Sequence, residues 1–419
     1  MVVSRLLLWR FKPEIIAVTG NMGKTTTKLA ISHVLKNHKR IRYSEGNLNN
    51  EFGVPLTIIG GWDGEYYDKG PSGWFWIRVL WSGFFKLFSI EYPEILVLEY
   101  GADHPGDIKK LVKIYKPHIS VVSGIGEIPV HVQYFLTPKN LAEEKRNIIS
   151  HLSSSDYAIL NHDDPLVLDM KSHTKALVNT YGFTQGSDVW LSDFNIELNQ
   201  NIPDGISFSV SSGGKQSRAH IPQTLSKGVA FASGAALAVA EIYKIPLNIA
   251  IESLRTFIAP KGRMKLLNGI KNSHIIDDSY NASPASTTLA VETLKSLPAQ
   301  RKIAVLGDMR ELGEYSISAH QKIGNLVGGH VEILVCVGAA AKFIGEAASD
   351  QMLSGNIFYF ETSELAKKKV QELIKEGDLI LVKGSEGVRM EKIIEEVMAE
   401  PQKKKELIVR QSQRWLNTK

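Results

Sequence analysis

The chain has 419 residues, 43% hydrophobic and 22% charged, a composition that excludes a disordered, collagenous or multi-span membrane protein and a length that predicts two to three domains. Forty-nine Lys and Arg against 44 Asp and Glu leave a net +5, too dilute a charge to imply a nucleic-acid partner, and none is expected. The single cysteine, Cys336, excludes an internal disulfide and a thiolate zinc site and fits a reducing, cytoplasmic setting. It lies in the apolar run ILVCVG and reads as core.

The first residues, MVVSRLLLWRFKPE, carry positive charge and a short apolar run, Leu6–Trp9. That run is shorter than a signal-peptide core and no small-residue cleavage site follows, so the segment reads as mature protein. No stretch reaches about 18 uncharged apolar residues, and no conventional transmembrane helix is predicted. Beyond it, IIAVTG, ILVLEYGA, ISVVSGIG and YAILNHDD alternate with helix-length segments, the rhythm of a parallel sheet covered by helices. Residues 188–222 change to alternating strand patterns broken by NIPDG and SSGGK, which predicts an antiparallel patch, and an alanine-rich helix follows over about 226–243.

FIAPKGRMK, with Pro260 and Gly262, breaks the pattern and is the candidate linker between domains 1–260 and 261–419. The βα rhythm then restarts with HIIDDSYNA, RKIAVLGDM, EILVCVG and LILVKGS, predicting a second α/β domain. The tail PQKKKELIVRQSQRWLNTK interleaves few charges with apolar residues and reads as a solvated terminal helix rather than a nucleic-acid arm.

After the first strand comes Gly20-Asn21-Met22-Gly23-Lys24-Thr25-Thr26, then the apolar-periodic LAISHVLKN. Glycines let a loop curl so that amide N–H groups and a helix N-terminus face phosphate oxygens, while Lys supplies charge and a hydroxyl holds Mg²⁺. The form is the compact G-x-x-G-K-T, because Val18 stands six positions before Lys24. ATP or GTP binding is the expectation.

Seven segments in order, GNMGKTTTK, SEGNLNNEFGVPLT, LVLEYGADHPGDI, LNHDDP, IDDSYNASP, LGDMRELG and LVKGSEGVRMEKI, resemble those of the Mur ligases. They are most similar to the F-type branch, which adds D-alanyl-D-alanine to UDP-N-acetylmuramoyl-tripeptide. The resemblance implies a P-loop-containing parallel-sheet ATPase domain followed by a Rossmann-like α/β C-terminal domain. It also implies ATP- and Mg²⁺-dependent joining of a carboxylate to an amine through an acyl phosphate, in cell-wall synthesis.

Carried over residue by residue, the resemblance implies that Gly20, Asn21, Gly23, Lys24, Thr25 and Thr26 hold the phosphates, with Thr25 and Glu99 on Mg²⁺. His131, in IGEIPVH, stands two residues later than the family's IGEAH pattern puts its metal-site histidine; a lone His is otherwise a satisfied core or surface residue. Lys145 aligns with a lysine the family carbamylates, against the alternative of a solvated helix lysine beside Glu143 and Glu144. Asn161, Arg263, Asp278, Tyr280 and Asn281 match nucleotide-side positions, though Asp278 is also a helix-cap residue type. Asn47, Asn49, Asn50, Asp308, His320, Lys383 and Arg389 match positions for the substrates or the domain interface.

Two departures bear on the substrate. The phosphate loop lies within 20 residues of the start, where F-type enzymes carry a preceding domain for the uridine nucleotide. The expectation is therefore a chain lacking that domain, whose donor is gripped differently, is not a UDP-sugar, or is held by another protein. Residues 61–92 form an apparent insertion with four of the seven tryptophans. Within it Trp74, Ile77, Trp81, Phe84 and Phe88 follow helical spacing beside a strip of Arg78, Ser82 and Lys86. Such a helix lies in a membrane interface through 74–90, covers a lipid-linked substrate, or packs on the body or a second subunit. A smaller departure is LSKGVAF at 225–231, where Lys227, Gly228 and Phe231 replace the family's His-Asn pattern and predict a missing contact. The partners expected are a small-molecule or lipid-linked cell-wall precursor and an amino acid or dipeptide, in the cytoplasm or at the inner membrane face. The alternatives are a ligase for a non-UDP, lipid-linked carboxylate and a non-catalytic nucleotide-binding partner protein.

Overall fold

Short aliphatic runs form the strands, and glycine-marked turns at their ends send the chain into helices. The computed structural model describes residues 1–127, 132–135, 137–199 and 202–417. Its first sheet contains β1 (Glu14–Thr19), β2 (Ile41–Tyr43), β3 (Ile95–Glu99), β4 (Ile119–Val122), β5 (Tyr157–Asn161), β6 (Leu177–Gly182), β7 (Val189–Asn199), β8 (Ile202–Ser212) and β9 (Lys215–Pro222). Their order is β2-β3-β1-β4-β5-β6-β7-β8-β9. Pairings from β2 to β7 are parallel, and β8 and β9 add the antiparallel patch.

The first six helices in chain order used below are α1 (Val2–Phe11), α2 (Lys24–Leu35), α3 (Gly53–Ile59), α4 (Asp63–Lys69), α5 (Gly73–Lys86) and α6 (Asp107–Ile114). Both faces of the sheet are covered, so β1 is apolar on consecutive positions instead of alternating. Ile16 and Val18 join the core under α2 and the alanine-rich helix Lys227–Ile242, while Ile15 and Ala17 join the core under α3, α6 and the helix Pro138–Ser150. Thr137 accepts the Asn140 N–H at 3.1 Å and Pro138 opens that last helix, a cap that contributes about 1 kcal/mol.

The second sheet contains β10 (Lys265–Asn268), β11 (His274–Asp278), β12 (Lys302–Gly307), β13 (Ile333–Val337), β14 (Ile357–Phe360) and β15 (Leu379–Lys383), in the order β10-β11-β15-β12-β13-β14. All pairings are parallel except β10 with β11. Cys336 on β13 is buried, and burial pushes its thiol up to about 12.

One segment needs correction. The tail is not a solvated helix: it is broken into the short turns Pro401–Lys403, Lys404–Leu407 and Gln413–Leu416. The apolar Ile408 and Val409 between them are buried, Ile408 in the core of the second sheet. In α5 the periodicity is as expected. Phe75, Val79 and Gly83 pack inward, while Trp74, Ile77, Trp81, Phe84 and Phe88 are exposed. Among the described residues no helix is long and apolar enough to cross a membrane.

Candidate active site

β1 and β3 are neighbours, and the connection from β1 runs to β2 on one side while that from β3 runs to β4 on the other, the switch point where open α/β sheets form a crevice at their strand ends. The chain leaves β1 through Gly20, φ +143°, and enters α2 from Gly23, φ +76°. A Cβ at Gly20 would stand 2.2 Å from Ser123 Oγ, so this position needs glycine for both conformation and room. The Asn21 and Met22 amides donate to the Gly124 carbonyl at 2.6 and 3.2 Å and fix the loop against the end of β4. Among the described residues no side chain caps α2, which leaves its first-turn amides and its positive dipole end for an anion. Lys24 sits there with its ammonium 3.4 Å from the Asn21 carbonyl. Burial lowers its pKa, Glu99 opposes that, and Arg263 adds to it.

Glu99 ends β3 and is 1% exposed. A buried carboxylate needs partners, and each oxygen has them. Oε1 accepts from Asn49 Nδ2 at 3.1 Å; Oε2 accepts from Thr25 Oγ1 at 3.0 Å and lies 3.6 Å from Lys28 Nζ. Burial alone would raise its pKa, but Lys28 and Lys24, with the Asn49 and Thr25 hydrogen bonds, bring it below the ordinary value. Lys28 is itself fully buried and donates to Ser44 Oγ at 3.1 Å and to the Gly46 carbonyl.

Lys145 is 1% exposed, which corrects the solvated alternative. Its neighbour Glu144 is turned to α6, accepting the Gly106 and Ile108 N–H groups at 2.9 and 2.8 Å, and this docks the lysine-bearing helix against the end of that helix. Burial first and Lys24 second lower the Lys145 pKa to about 7, against the opposing charges of Asp103, Glu144 and Glu99. Asp103 lines the cleft, and Lys145 is not among the residues that line it. His131 lies outside the described residues.

Asn47, Asn49, Asn50 and Asn161 all line the cleft. Asn161 donates to the Ser123 carbonyl at 2.7 Å, and Asn47 accepts the Tyr67 hydroxyl at 2.6 Å. Asn50 accepts the Phe52 and Gly53 N–H groups at 3.1 and 2.9 Å, which starts α3. From the other lobe come Arg263, Asp278, Tyr280, Asn281 and Lys383, enclosing with the phosphate loop a cleft of about 1700 Å³. The Arg263 guanidinium stacks 4.2 Å over Tyr280, and among the described residues its buried Nε has no hydrogen-bond partner. Asp278 is held from both sides. Its Oδ2 pairs with Lys383 Nζ at 2.5 Å and its Oδ1 accepts the Met264 N–H at 3.2 Å.

Three candidates face elsewhere. Asp308 Oδ1 accepts the Ala340 and Ala341 N–H groups at 2.9 and 2.7 Å and holds the turn after β13. His320 is fully buried, with Nδ1 2.7 Å from the Ser316 carbonyl and Nε2 accepting the Met309 N–H at 2.9 Å; it is a satisfied core histidine. Arg389 bonds Glu391 at 2.5 Å and stacks on Trp415 at 5.2 Å, outside the cleft lining.

The structure adds residues that the motifs did not single out for the site. Lys28 lies in the quoted GNMGKTTTK, but its link to Glu99 needs the loop at 44–46 folded over it. Tyr66 and Tyr67 from the insertion and Trp415 from the tail line the cleft, as do Lys227 and Phe231. Lys227 stands 4.5 Å over the Phe183 ring, so the departing segment 225–231 contributes its own contacts.

These elements define a two-lobed α/β enzyme with a phosphate-binding loop in one lobe and cations from the other facing it. Residues 84–236 match the Mur ligase middle domain and 262–386 the Mur ligase glutamate ligase domain. The chain belongs to the Mur ligase family. It is 28% identical to a UDP-N-acetylmuramoyl-tripeptide–D-alanyl-D-alanine ligase of Rickettsia prowazekii, over 92% of this chain and 78% of that one. It is likewise 28% identical to the Bacillus subtilis ligase of the same name, over 95% and 79%. The MurF ligase of Thermotoga maritima in complex with ADP superposes with a TM-score of 0.76 at 26% identity, covering 94% of this chain and 81% of that one.

Proposed function

We propose that this chain is an ATP- and Mg²⁺-dependent carboxylate–amine ligase that adds a D-alanyl-D-alanine-like dipeptide or an amino acid to a cell-wall peptide precursor. The observation that carries it is the meeting, in one cleft, of Lys24 and Thr25 on the uncapped end of α2 with Glu99 on one side and Arg263 on the other. The lobes taken as units are 1–260 and 261–419, one sheet in each.

A substrate carboxylate attacks the γ-phosphate, giving an acyl phosphate and ADP; the amine attacks the acyl carbon, and phosphate leaves. Such transfer is mostly positioning and neutralisation of charge. Lys24 and the loop amides around Gly20, Asn21, Gly23 and Thr26 hold the phosphates, and Arg263 adds charge from the opposite wall. Tyr280, Asn281 and Asn161 border the nucleotide, with Asp278 kept in place by Lys383. Asn47 and Asn50 stand on the substrate side of the loop.

Magnesium fits the donors present. Thr25 Oγ1 and Glu99 Oε2, hard oxygens 3.0 Å apart, would hold it, and among the described residues no cluster of three metal-ligating side chains competes for it. Two protein oxygens are what this ion takes when phosphates and water complete its shell. When bound it neutralises phosphate charge. Lys145, held near neutrality, is the residue that would accept CO₂ as a carbamate.

A second reading concerns the donor's carrier. The outward aromatic face of α5 favours a lipid-linked carboxylate, approached through membrane contact at 74–90 at the cytoplasmic face. A panel of UDP-linked and lipid-linked muramoyl donors against amino acids and dipeptides, followed by ADP formation and product mass, tests both. No ADP with any pair would leave a nucleotide-binding partner protein as the better description.

A further inference from the structure

A helix on a protein surface ordinarily turns its apolar stripe inward and its charges to water. α5 departs from this, because its charges face the body together with Phe75, Val79 and Gly83. Arg78 pairs with Glu65 and stacks 5.6 Å over Trp62, and Lys86 donates to the Ile59 carbonyl at 2.6 Å, so the polar strip is used against the body. Trp81 is 57% and Phe88 71% exposed on the opposite side.

The exposed face continues onto α1. Gly83 of α5 lies so close to α1 that a Cβ there would stand 2.4 Å from Val3 Cγ1. The two helices therefore lie side by side, and α1 turns Leu6 and Trp9 outward, the latter 76% exposed. Large apolar side chains exposed on two adjoining helices mark an interaction site.

Charge selects the occupant. Residues 1–13 and 69–90 contain no Asp or Glu, while Arg5, Arg10, Lys12 and Lys69 are exposed among them. A second copy of the chain laid on this face by a two-fold axis would bring these cations against one another, with no acid of the two segments to answer them. An anionic bilayer answers them all, and tryptophan at the rim of a basic, apolar face suits the headgroup region. We propose that α1 and α5 together form a two-helix platform that docks on an anionic membrane surface. It lies on the bilayer without crossing it. α4 runs directly into α5 and sets Tyr66 and Tyr67 in the cleft wall, so docking places the cleft beside the lipid; only this last consequence rests on the ligase reading.

The test is flotation of the full chain with vesicles of equal parts phosphatidylcholine and phosphatidylglycerol, and with phosphatidylcholine alone. Binding to the mixed vesicles is expected, with loss of roughly tenfold or more in affinity for Trp74→Ser/Trp81→Ser, for Trp9→Ser, and for Arg10→Glu/Lys12→Glu, and a similar loss on raising salt. Unchanged thermal melting and ADP binding of the variants certify the fold. Absence of flotation, flotation that ignores lipid charge, or full binding by the Trp9 and Arg10/Lys12 variants overturns the platform. So does a dimer in lipid-free buffer that Trp81→Ser dissociates, which would make this face a contact between copies. Flotation reads no ligase chemistry: its failure with ADP formation intact removes the platform alone, and its success without ADP formation removes the ligase alone.

Discussion

Thr25 donates its hydroxyl to Glu99 across 3.0 Å, from the first turn of α2 to the last residue of β3. The two oxygens that would share a magnesium ion are thus brought together by two elements of one core, with Asn49 and Lys28 holding the far sides of the carboxylate. Glu99→Gln keeps the shape and removes the charge. The expected result is loss of at least about 100-fold in ADP formation with a rise in the Mg²⁺ concentration needed, because charge neutralisation at phosphate carries catalysis of this kind. Lys28 is left without its counter-charge, so a fall in stability of about 1–3 kcal/mol accompanies it. A magnesium titration of ADP release checks the first outcome and urea unfolding the second.

Lys145 gives the pH dependence. Its pKa is lowered to about 7 by burial and by Lys24, whereas an unfolded lysine titrates near 10.4. Between those values the unfolded chain binds the extra proton, so the stability cost of this lysine is full below about pH 7 and is relieved as pH rises. The neutral amine that grows over the same window is the form that takes up CO₂. The bicarbonate concentration needed for full turnover is expected to be higher below pH 7 than above it, because less of the amine is neutral there. Lys145→Ala is expected to reduce turnover, with partial return on adding acetate or formate. Full activity of that variant without added acid would remove the lysine from the mechanism.

The contrast between Lys24 and Lys28 shows how much of the site was legible in the sequence. Gly20 to Thr25 carry their meaning within one strand–loop–helix, where spacing along the chain fixes spacing in space, and Glu99 was visible as a charge ending an apolar strand. Lys28 depends on Ser44 and Gly46 of one loop and on Glu99 at the end of β3, two other places in the chain, and no local pattern announces that. The α/β rhythm and the antiparallel patch were legible because burial on both faces or one leaves different periods. The orientation of α5 was not, because periodicity separates two faces without saying which one finds Glu65 and Ile59. His320 and Asp308 are ambiguous in the sequence for a related reason: a histidine or aspartate in a motif looks the same whether it meets a ligand or a backbone N–H. The path of the tail is hidden in the sequence because its charges outweigh the two apolar residues, Ile408 and Val409, that decide it.

Gly20→Ala tests the loop's geometry. Alanine at φ +143° is strained, and its methyl would also meet Ser123 Oγ, which holds the Met22 carbonyl at 2.6 Å and the Thr19 carbonyl at 3.1 Å. The loop must shift to accept it. ADP affinity measured by calorimetry is expected to fall by roughly tenfold or more, with destabilisation of about 1–3 kcal/mol. Gly23→Ala, where a Cβ meets only Thr27 Oγ1 at 4.0 Å, is expected to cost less, because conformation alone opposes it.

Arg410 links the tail to the cleft. Its guanidinium donates to the Ser279 carbonyl and to Glu391 at 3.0 Å each, bonds the Tyr280 carbonyl, and lies 5.6 Å from the Trp415 ring. Both partners of the Arg410–Glu391 pair are nearly fully buried. Arg410→Ala leaves that carboxylate paired with Arg389 but strips the Ser279 and Tyr280 carbonyls of their donor, a loss of about 1–3 kcal/mol. Arg410→Lys keeps the charge but cannot bridge two carbonyls and a carboxylate with one planar group, so a smaller loss is expected. Because the guanidinium holds the backbone of Tyr280, on whose ring Arg263 stacks, the KM for ATP is expected to rise in both variants while the wall formed by Lys24, Thr25 and Glu99 keeps its geometry. Unfolding curves and steady-state kinetics at saturating Mg²⁺ separate the two effects: an unchanged KM in a destabilised Arg410→Ala would confine the tail to holding the second lobe together.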